Sequence, residues 1–252
     1  MPLDLERVRR RLPDREIHWH AVVDSTMYEA TRLAQTGCLA GTAVGAEEQT
    51  AGIGRHGRSW HSEPGAGLYV SVILRPAAPP ERLPLLTLAV GLAAQEAVLR
   101  AAGVACDLRW PNDLLAGSRK CAGILLQLEG AGAVVAGIGI NVNHTAFPEE
   151  IASTATSLRL AAGRECSRED LLVELLPAID RFAAVLSEEG SEAILRLFSA
   201  ASSYVSGRRV VVDQGARLIQ GVTEGLDPSG YLVVRGDDGR RNVILAGGVR
   251  PA

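Results

Sequence analysis

Residues 52–74 read GIGRHGRSWHSEPGAGLYVSVIL, and the order of its two halves decides which folds remain open. The first nine residues hold three glycines, two arginines, a histidine and a tryptophan, a composition that suits neither a helix nor a strand. Glycines let the backbone come within hydrogen-bonding distance of a ligand, while Arg55 and Arg58 add charge and bidentate geometry suited to phosphate or carboxylate. The segment lacks Walker spacing, and it does not open a helix as G-x-G-x-x-G loops do, because GLYVSVILR is dense in β-branched residues and reads as a strand. Dinucleotide-binding and P-loop folds are therefore disfavoured. Taken alone, the stretch fits a solvated glycine-rich turn as readily as an anion site. A long connection between two good strands is, however, usually functional or disordered.

The rest of the chain alternates helices and strands around this loop. Leu5, Val8 and Leu12 among arginines predict a short amphipathic helix closed by Pro13. EIHWHAVV reads as a strand that runs into Asp24-Ser25-Thr26. Thr26 and Glu29 then form a capping box for a helix over MYEATRLAQ, stopped at Gly37. TAVGAE is a short strand before the loop. Leu85, Leu88, Leu92, Val98 and Leu99 predict a helix from Leu83 to Ala102. VACDLRW, CAGILLQLE and AVVAGIGINVN read as strands, and helices follow near 168–186 and 191–204. From Gly207 onward short strands separated by Gly, Asp and Pro turns predict a small barrel-like β-module. Two unequal domains are expected, 1–205 and 206–252.

Composition narrows the function classes. The chain has 252 residues, 47% hydrophobic, with a formal charge of −3 and a pI near 6.0, enough for a sizeable core in an ordinary globule. Only 4% of its residues are aromatic, and with no basic excess a dedicated nucleic-acid surface is disfavoured. No signal-like h-region opens the chain and no apolar run reaches about 18 residues, so a cytoplasmic protein without a membrane anchor is expected. Cys38, Cys106, Cys121 and Cys166 show no paired spacing and read as reduced, buried thiols. His18 and His20 share a strand face, but no third ligand accompanies them.

Two further clusters can carry chemistry. In RWPNDLLAGSRKCAGILLQLE, residues 109–129, Pro111 breaks a strand so that Asn112 and Asp113 sit in a turn, and Lys120 stands at the entrance of the next buried strand. That turn could oppose a metal or phosphate ligand to an ammonium, or it could be a plain Asx turn beside a strand-edge charge. In GIGINVNH, Gly139 and Asn141 end a strand, as a bulge or as a close approach to a ligand.

The order of these motifs carries more weight than any one of them. DST, EQTAGIGRHGRSW, GLYVSVILRP, RWPNDLLAGSRKCAGILLQLE and GIGINVN, followed by a small β-module, resemble the biotin protein ligases. The resemblance is tight from Asp24 to Asn143 and looser elsewhere. It implies an α+β fold, with a mixed central sheet flanked by helices as in class II aminoacyl-tRNA synthetases, and an SH3-like C-terminal barrel. It also implies an ATP- and Mg²⁺-dependent ligase that makes biotinyl-5′-AMP and transfers biotin to a lysine of the carrier domain of a biotin-dependent carboxylase.

By the same resemblance, Ser25, Thr26, Met27 and Gln49 would bind biotin, with Gly52, Ile53, Gly54 and Arg55 closing over it and Gly123 leaving room beside its acyl chain. Arg55, Arg58, Trp60, Asn112 and Asn141 would face the nucleotide. Lys120 would touch both the biotin carboxylate and the α-phosphate, Asn112 and Asp113 would help hold Mg²⁺, and Asp113 would orient or deprotonate the acceptor lysine. Lys120, Arg55 and Asp113 are thus the expected catalytic residues. The family's loop has an arginine where this chain has Ile53, and an asparagine where it has Met27. Too few residues precede Asp24 for a winged-helix domain, so a monofunctional ligase without DNA binding is expected. Dimerisation is left open by the sequence. A lipoate ligase or octanoyltransferase is the nearest rival, and a degenerate biotin-binding module the next.

Overall fold

In a computed structural model of the chain, which describes residues 2–76, 82–215 and 217–252, two sheets organise the helices. The first is built from β1 (Ile17–Val23), β2 (Ala43–Gln49), β3 (Gly67–Leu74), β4 (Asp107–Arg109), β5 (Asp113–Ala116), β6 (Arg119–Leu128) and β7 (Val134–Asn141). Its strand order is β1-β2-β3-β7-β6-β5-β4. Only β1 and β2 pair in parallel; the neighbouring pairs are antiparallel. A parallel pair needs a crossover, and α2 (Thr26–Gln35) supplies it.

The strands' period of two sorts their side chains onto two faces. Val70, Val72 and Leu74 of β3, Ala122 and Ile124 of β6, and Ala136, Ile138 and Ile140 of β7 join the large core. That core also takes in α3 (Leu83–Ala102), α6 (Arg168–Glu188) and α7 (Ser191–Ala201). Helix α3 is apolar nearly all round, with a mean hydropathy of 1.4, long enough by length and composition to span a bilayer. Two thirds of it is buried inside the protein, so core packing accounts for its composition. On the other face lies a smaller cluster of Met27, Ala30, Ala34, Val44, Ile73 and Val135 under α2, with Ile53 and Leu125 packed against it. Here β6 and β7 show Gly123, Gly137 and Gly139 rather than large side chains, and the sheet leaves a groove.

The expected cap of α2 is corrected by one residue. Ser25, not Thr26, is the N-cap, its Oγ accepting the Met27 N–H at 3.3 Å. Thr26 is thereby released to turn its hydroxyl into the sheet. The strand expected to end at Pro111 resumes at once: Trp110–Asn112 form the turn and Asp113 begins β5, a hairpin partner of β6 that the sequence pattern did not reveal. Two short helices, α4 (Glu149–Ala152) and α5 (Leu158–Ala162), and α1 (Leu5–Arg11) complete this part.

The second sheet holds β8 (Ser206–Asp213), β9 (Leu218–Leu226), β10 (Leu232–Gly236), β11 (Arg241–Ile244) and β12 (Gly248–Pro251), in the order β11-β10-β9-β8-β12 and antiparallel throughout. Val210, Val212, Ile219, Leu232, Val234, Ile244 and Val249 bury its inner face. Its β9–β10 turn reaches the first sheet. Gly230, at a φ of 86° that favours glycine, accepts a 2.9 Å hydrogen bond from the buried Trp110 indole, and a Cβ there would crowd Leu85 and Leu88 at 3.1 and 3.3 Å.

Candidate active site

The groove on the α2 face is a narrow cleft, partly open to solvent, walled by α2, the glycine-rich loop, β6 and β7. Its floor is glycine. Gly123 and Gly139 face each other across β6 and β7, and the Trp60 ring lies over both. A Cβ on Gly123 would stand 2.8 Å from that ring and 2.9 Å from the Lys120 amine, so a glycine is required for this approach. The Lys120 ammonium sits 5.2 Å from the Trp60 ring centroid, a cation–π distance. Among the described residues the buried Trp60 Nε1 has no hydrogen-bond partner, which leaves a donor for an incoming acceptor.

The glycine-rich loop is itself a small hairpin. Ile53 and Ser59 form an isolated antiparallel bridge. The Gly54 N–H donates to the Arg58 carbonyl at 2.7 Å, and the Trp60 N–H to the Gly52 carbonyl at 2.8 Å. His56 at φ 58° and Gly57 at φ 70° turn the tip through the left-handed region. Ile53 anchors one arm against the cluster that includes Met27 and Leu125. The two departures from the family's loop and Ser-Thr-Asn pattern therefore meet in one apolar patch.

At one end of the cleft, Gln49 Oε1 accepts from the Thr26 N–H at 2.9 Å and the Thr26 hydroxyl at 3.1 Å. With its proton so used, the Thr26 hydroxyl accepts from Ser71 at 2.9 Å. These polar side chains are thus fixed before any ligand arrives.

At the other end stand the charges. Arg55 donates from NH1 to Asn112 Oδ1 at 2.8 Å, and Asn112 Nδ2 donates to the Ile124 carbonyl at 2.9 Å. Burial lowers the Arg55 guanidinium from its usual value, Asp113 working against the shift and Arg58 adding to it. Asp113 lies between two cations, with Lys120 Nζ at 2.6 Å from Oδ1 and Arg109 NH2 at 2.7 Å from Oδ2. Burial alone would raise its pKa, but Lys120 and Arg109 hold it below the ordinary carboxylate range. The Lys120 backbone is clamped as well. Its N–H donates to the Thr154 carbonyl at 2.7 Å and its carbonyl accepts from the Thr156 N–H at 2.8 Å.

Of the sequence-predicted residues, Thr26, Met27, Gln49, Ile53, Gly54, Arg55, Trp60, Asn112, Lys120 and Gly123 line this one cleft. Others lie outside its wall for definite reasons. Ser25 is fully buried as the cap of α2, and Gly52 is a hairpin position whose Cβ would meet the Trp60 carbonyl at 2.9 Å. Arg58 is exposed on the outer arm. Asn141, on the cleft side of β7, is buried and gives its Nδ2 to the Thr156 carbonyl at 3.0 Å, bracing the segment that clamps Lys120. Asp113 stands behind Lys120. The pair Asn112–Asp113 also does not fit Mg²⁺: both Asp113 oxygens face cations, and Asn112 Oδ1 holds Arg55. Sequence reasoning missed Arg109 as a partner of Asp113, and Ile124, Leu125, Gly137 and Ile138 as cleft wall. The signal for Gly137 was present in GIGIN, where alternate glycines strip one face of a strand.

A cleft with a glycine floor, a fixed amide at one end and an Arg–Lys pair at the other matches known proteins at the level of sequence as well. Residues 19–144 match the biotin/lipoate A/B protein ligase family. The chain belongs to that family. Residues 205–249 match the biotin protein ligase C-terminal domain, the part built by the second sheet. A biotin–[acetyl-CoA-carboxylase] ligase of Mycobacterium tuberculosis is 33% identical over 98% of this chain and 94% of that protein. A bifunctional ligase/repressor, BirA, of Bacillus subtilis is 34% identical over 90% of this chain and 72% of the relative. Among solved structures, the biotin protein ligase of Aquifex aeolicus in complex with biotin and ATP has a TM-score of 0.82 at 31% identity, covering 94% of this chain and 99% of that one. The mixed sheet with flanking helices and the antiparallel C-terminal module are thus the family's fold, as expected.

Proposed function

We propose that this chain is a biotin protein ligase. It activates biotin with ATP to biotinyl-5′-AMP, releasing pyrophosphate, and passes biotin to a lysine of the carrier domain of a biotin-dependent carboxylase. The observation that carries this reading is the placing of Arg55 and Lys120 at one end of a narrow glycine-floored cleft whose other end is a fixed Thr26–Gln49 pair.

In the first half-reaction a biotin carboxylate oxygen attacks the α-phosphorus of ATP and pyrophosphate leaves. Two anions must approach, so fixed cations screen them and take up developing charge. Lys120 suits the carboxylate and α-phosphate together, held in aim by Asp113 and by its clamped backbone. Arg55 suits the phosphate side, with Asn112 holding its guanidinium. Thr26, Met27, Gln49, Gly123 and Trp60 form the wall suited to biotin, the apolar parts against its rings and chain and the polar parts against its ureido group. Mg²⁺ belongs with the ATP phosphates, as part of that substrate, rather than with Asn112 and Asp113.

In the second half-reaction the carrier lysine amine attacks the anhydride carbonyl and AMP leaves. Asp113 is a poor base for that amine, since two cations hold its pKa down. Its role in this reading is to position Lys120. The glycine-rich hairpin then serves to keep water from the anhydride.

The family includes lipoate ligases, and the C-terminal match favours biotin. Supplying labelled biotin or labelled lipoate with MgATP and an apo carrier domain decides between them. Transfer of biotin is expected; transfer of lipoate alone would overturn the proposal.

A further inference from the structure

Beyond Trp60 the chain passes the exit of β7, and three side chains converge there outside the cleft. One ring nitrogen each of His61 and His144 and one carboxylate oxygen of Glu63 lie within 4.8 Å of one another. The two imidazole rings are 5.8 Å apart, and Phe147 stacks on His144 at 5.2 Å with an interplanar angle of 13°. His144 is fully buried, His61 half-buried and Glu63 exposed.

Tyr69 holds one side of the His144 ring. Its hydroxyl accepts the Glu63 N–H at 2.9 Å and donates to the Glu63 carbonyl at 3.2 Å. The same hydroxyl lies 3.3 Å from His144 Nε2, so that ring nitrogen is hydrogen-bonded and the ring is held in place. Buried Nδ1, on the other side of the ring, has no hydrogen-bond partner among the described residues. A buried imidazole nitrogen kept open by a hydrogen bond at the other nitrogen is how proteins prepare a histidine for a metal.

We propose that His61, Glu63 and His144 form a site for a divalent transition-metal ion, with Zn²⁺ as the type. Two imidazole nitrogens and one carboxylate suit Zn²⁺ and its first-row neighbours, whereas Mg²⁺ and Ca²⁺ take oxygen shells. Bonds of about 2.0–2.2 Å require only a modest contraction of the cluster and leave a fourth position for water. The ion ties the end of the glycine-rich hairpin, one residue past Trp60, to the end of the strand that carries Gly139.

The test is Zn²⁺ titration of the full chain, stripped with EDTA and dialysed, by calorimetry in excess Mg²⁺, with Co²⁺ absorption as a second readout. One equivalent is expected, with a rise in Tm and a visible Co²⁺ band. His61→Ala and Glu63→Gln, at accessible positions that spare the buried imidazole, should each weaken binding about tenfold or more, while Cys38→Ser should leave it unchanged. Absence of saturable binding, binding that survives both variants, or binding lost with Cys38 would overturn the site. No biotin, nucleotide or carrier is present in the experiment, so its outcome is separate from that of the ligase proposal.

Discussion

Lys120→Met removes one charge from the site while keeping most of the stem that lies against Trp60. In the folded chain Asp113 loses a partner at 2.6 Å but keeps Arg109 at 2.7 Å. Stripping a buried carboxylate of its sole partner costs about 3–5 kcal/mol. Here one cation remains and the Lys120 side chain is 31% exposed, so the cost falls to about 1–2 kcal/mol. For a chain of this size that lowers Tm by about 2–8 °C. The effect on adenylation is larger, because a fixed cation aimed at developing charge contributes about 10²–10³ in rate. Biotin-dependent ATP–pyrophosphate exchange, measured well below the variant's Tm, should therefore fall about a hundredfold or more, and Lys120→Arg should recover part of it. The reasoning fails if Lys120→Met exchanges at near-normal rate, or if the loss tracks the unfolded fraction seen in the melting curve.

Asp113 supplies a pH signature in the same variant. Its lowered pKa means that its stabilising contribution is complete above about pH 3.9 and is lost as pH falls through the depressed folded value. Without Lys120, burial weighs more heavily, and the acid-unfolding midpoint followed by circular dichroism should move to higher pH. Gly123→Ala puts a Cβ 2.8 Å from the Trp60 ring; overpacking of about 1–3 kcal/mol is expected, with weakened biotin binding in calorimetry, and unchanged affinity would count against the glycine floor. Ile53 packs against the apolar cluster that holds Met27, so the urea-unfolding effects of Ile53→Arg and Met27→Asn should couple by about 0.5 kcal/mol or more, and strict additivity would count against a shared patch. Arg55→Gly removes the guanidinium held by Asn112, and preformed biotinyl-adenylate should leave the variant faster in a chase experiment.

Regular elements were legible wherever a period was strong. The 20-residue helix from Leu83 to Ala102 and the buried strands on either side of the loop follow from apolar spacing, because burial on one or all faces writes itself into composition. The four-residue β5 did not show, since DLLA is too short to display a period and its partner lies across a turn. At the site, the types of residue were readable but not their bonds. Arg55, Lys120 and Asp113 were visible as charges near glycines and turns; that Arg109 and Lys120 share one carboxylate depends on a strand register that no local pattern encodes. Asn141 and Ser25 belong to motifs near the cleft, and their partners were likewise unreadable: Asn141 donates to the Thr156 carbonyl, while the Ser25 hydroxyl accepts from the Met27 N–H and donates to Gln49 Oε1 at 3.5 Å.

The bond from Trp110 to Gly230 joins the two sheets at a telling position. Trp110 is buried, and the next residues are Pro111, Asn112 and Asp113. Removing the C-terminal module would strand an indole donor in the interior, an expense of about 1–3 kcal/mol, immediately beside the turn that aims Arg55 and Lys120. The module is in this sense a keystone rather than an appendage: the catalytic turn and the small sheet should melt as one cooperative unit, and a truncated chain would report on a damaged turn instead of a simplified enzyme.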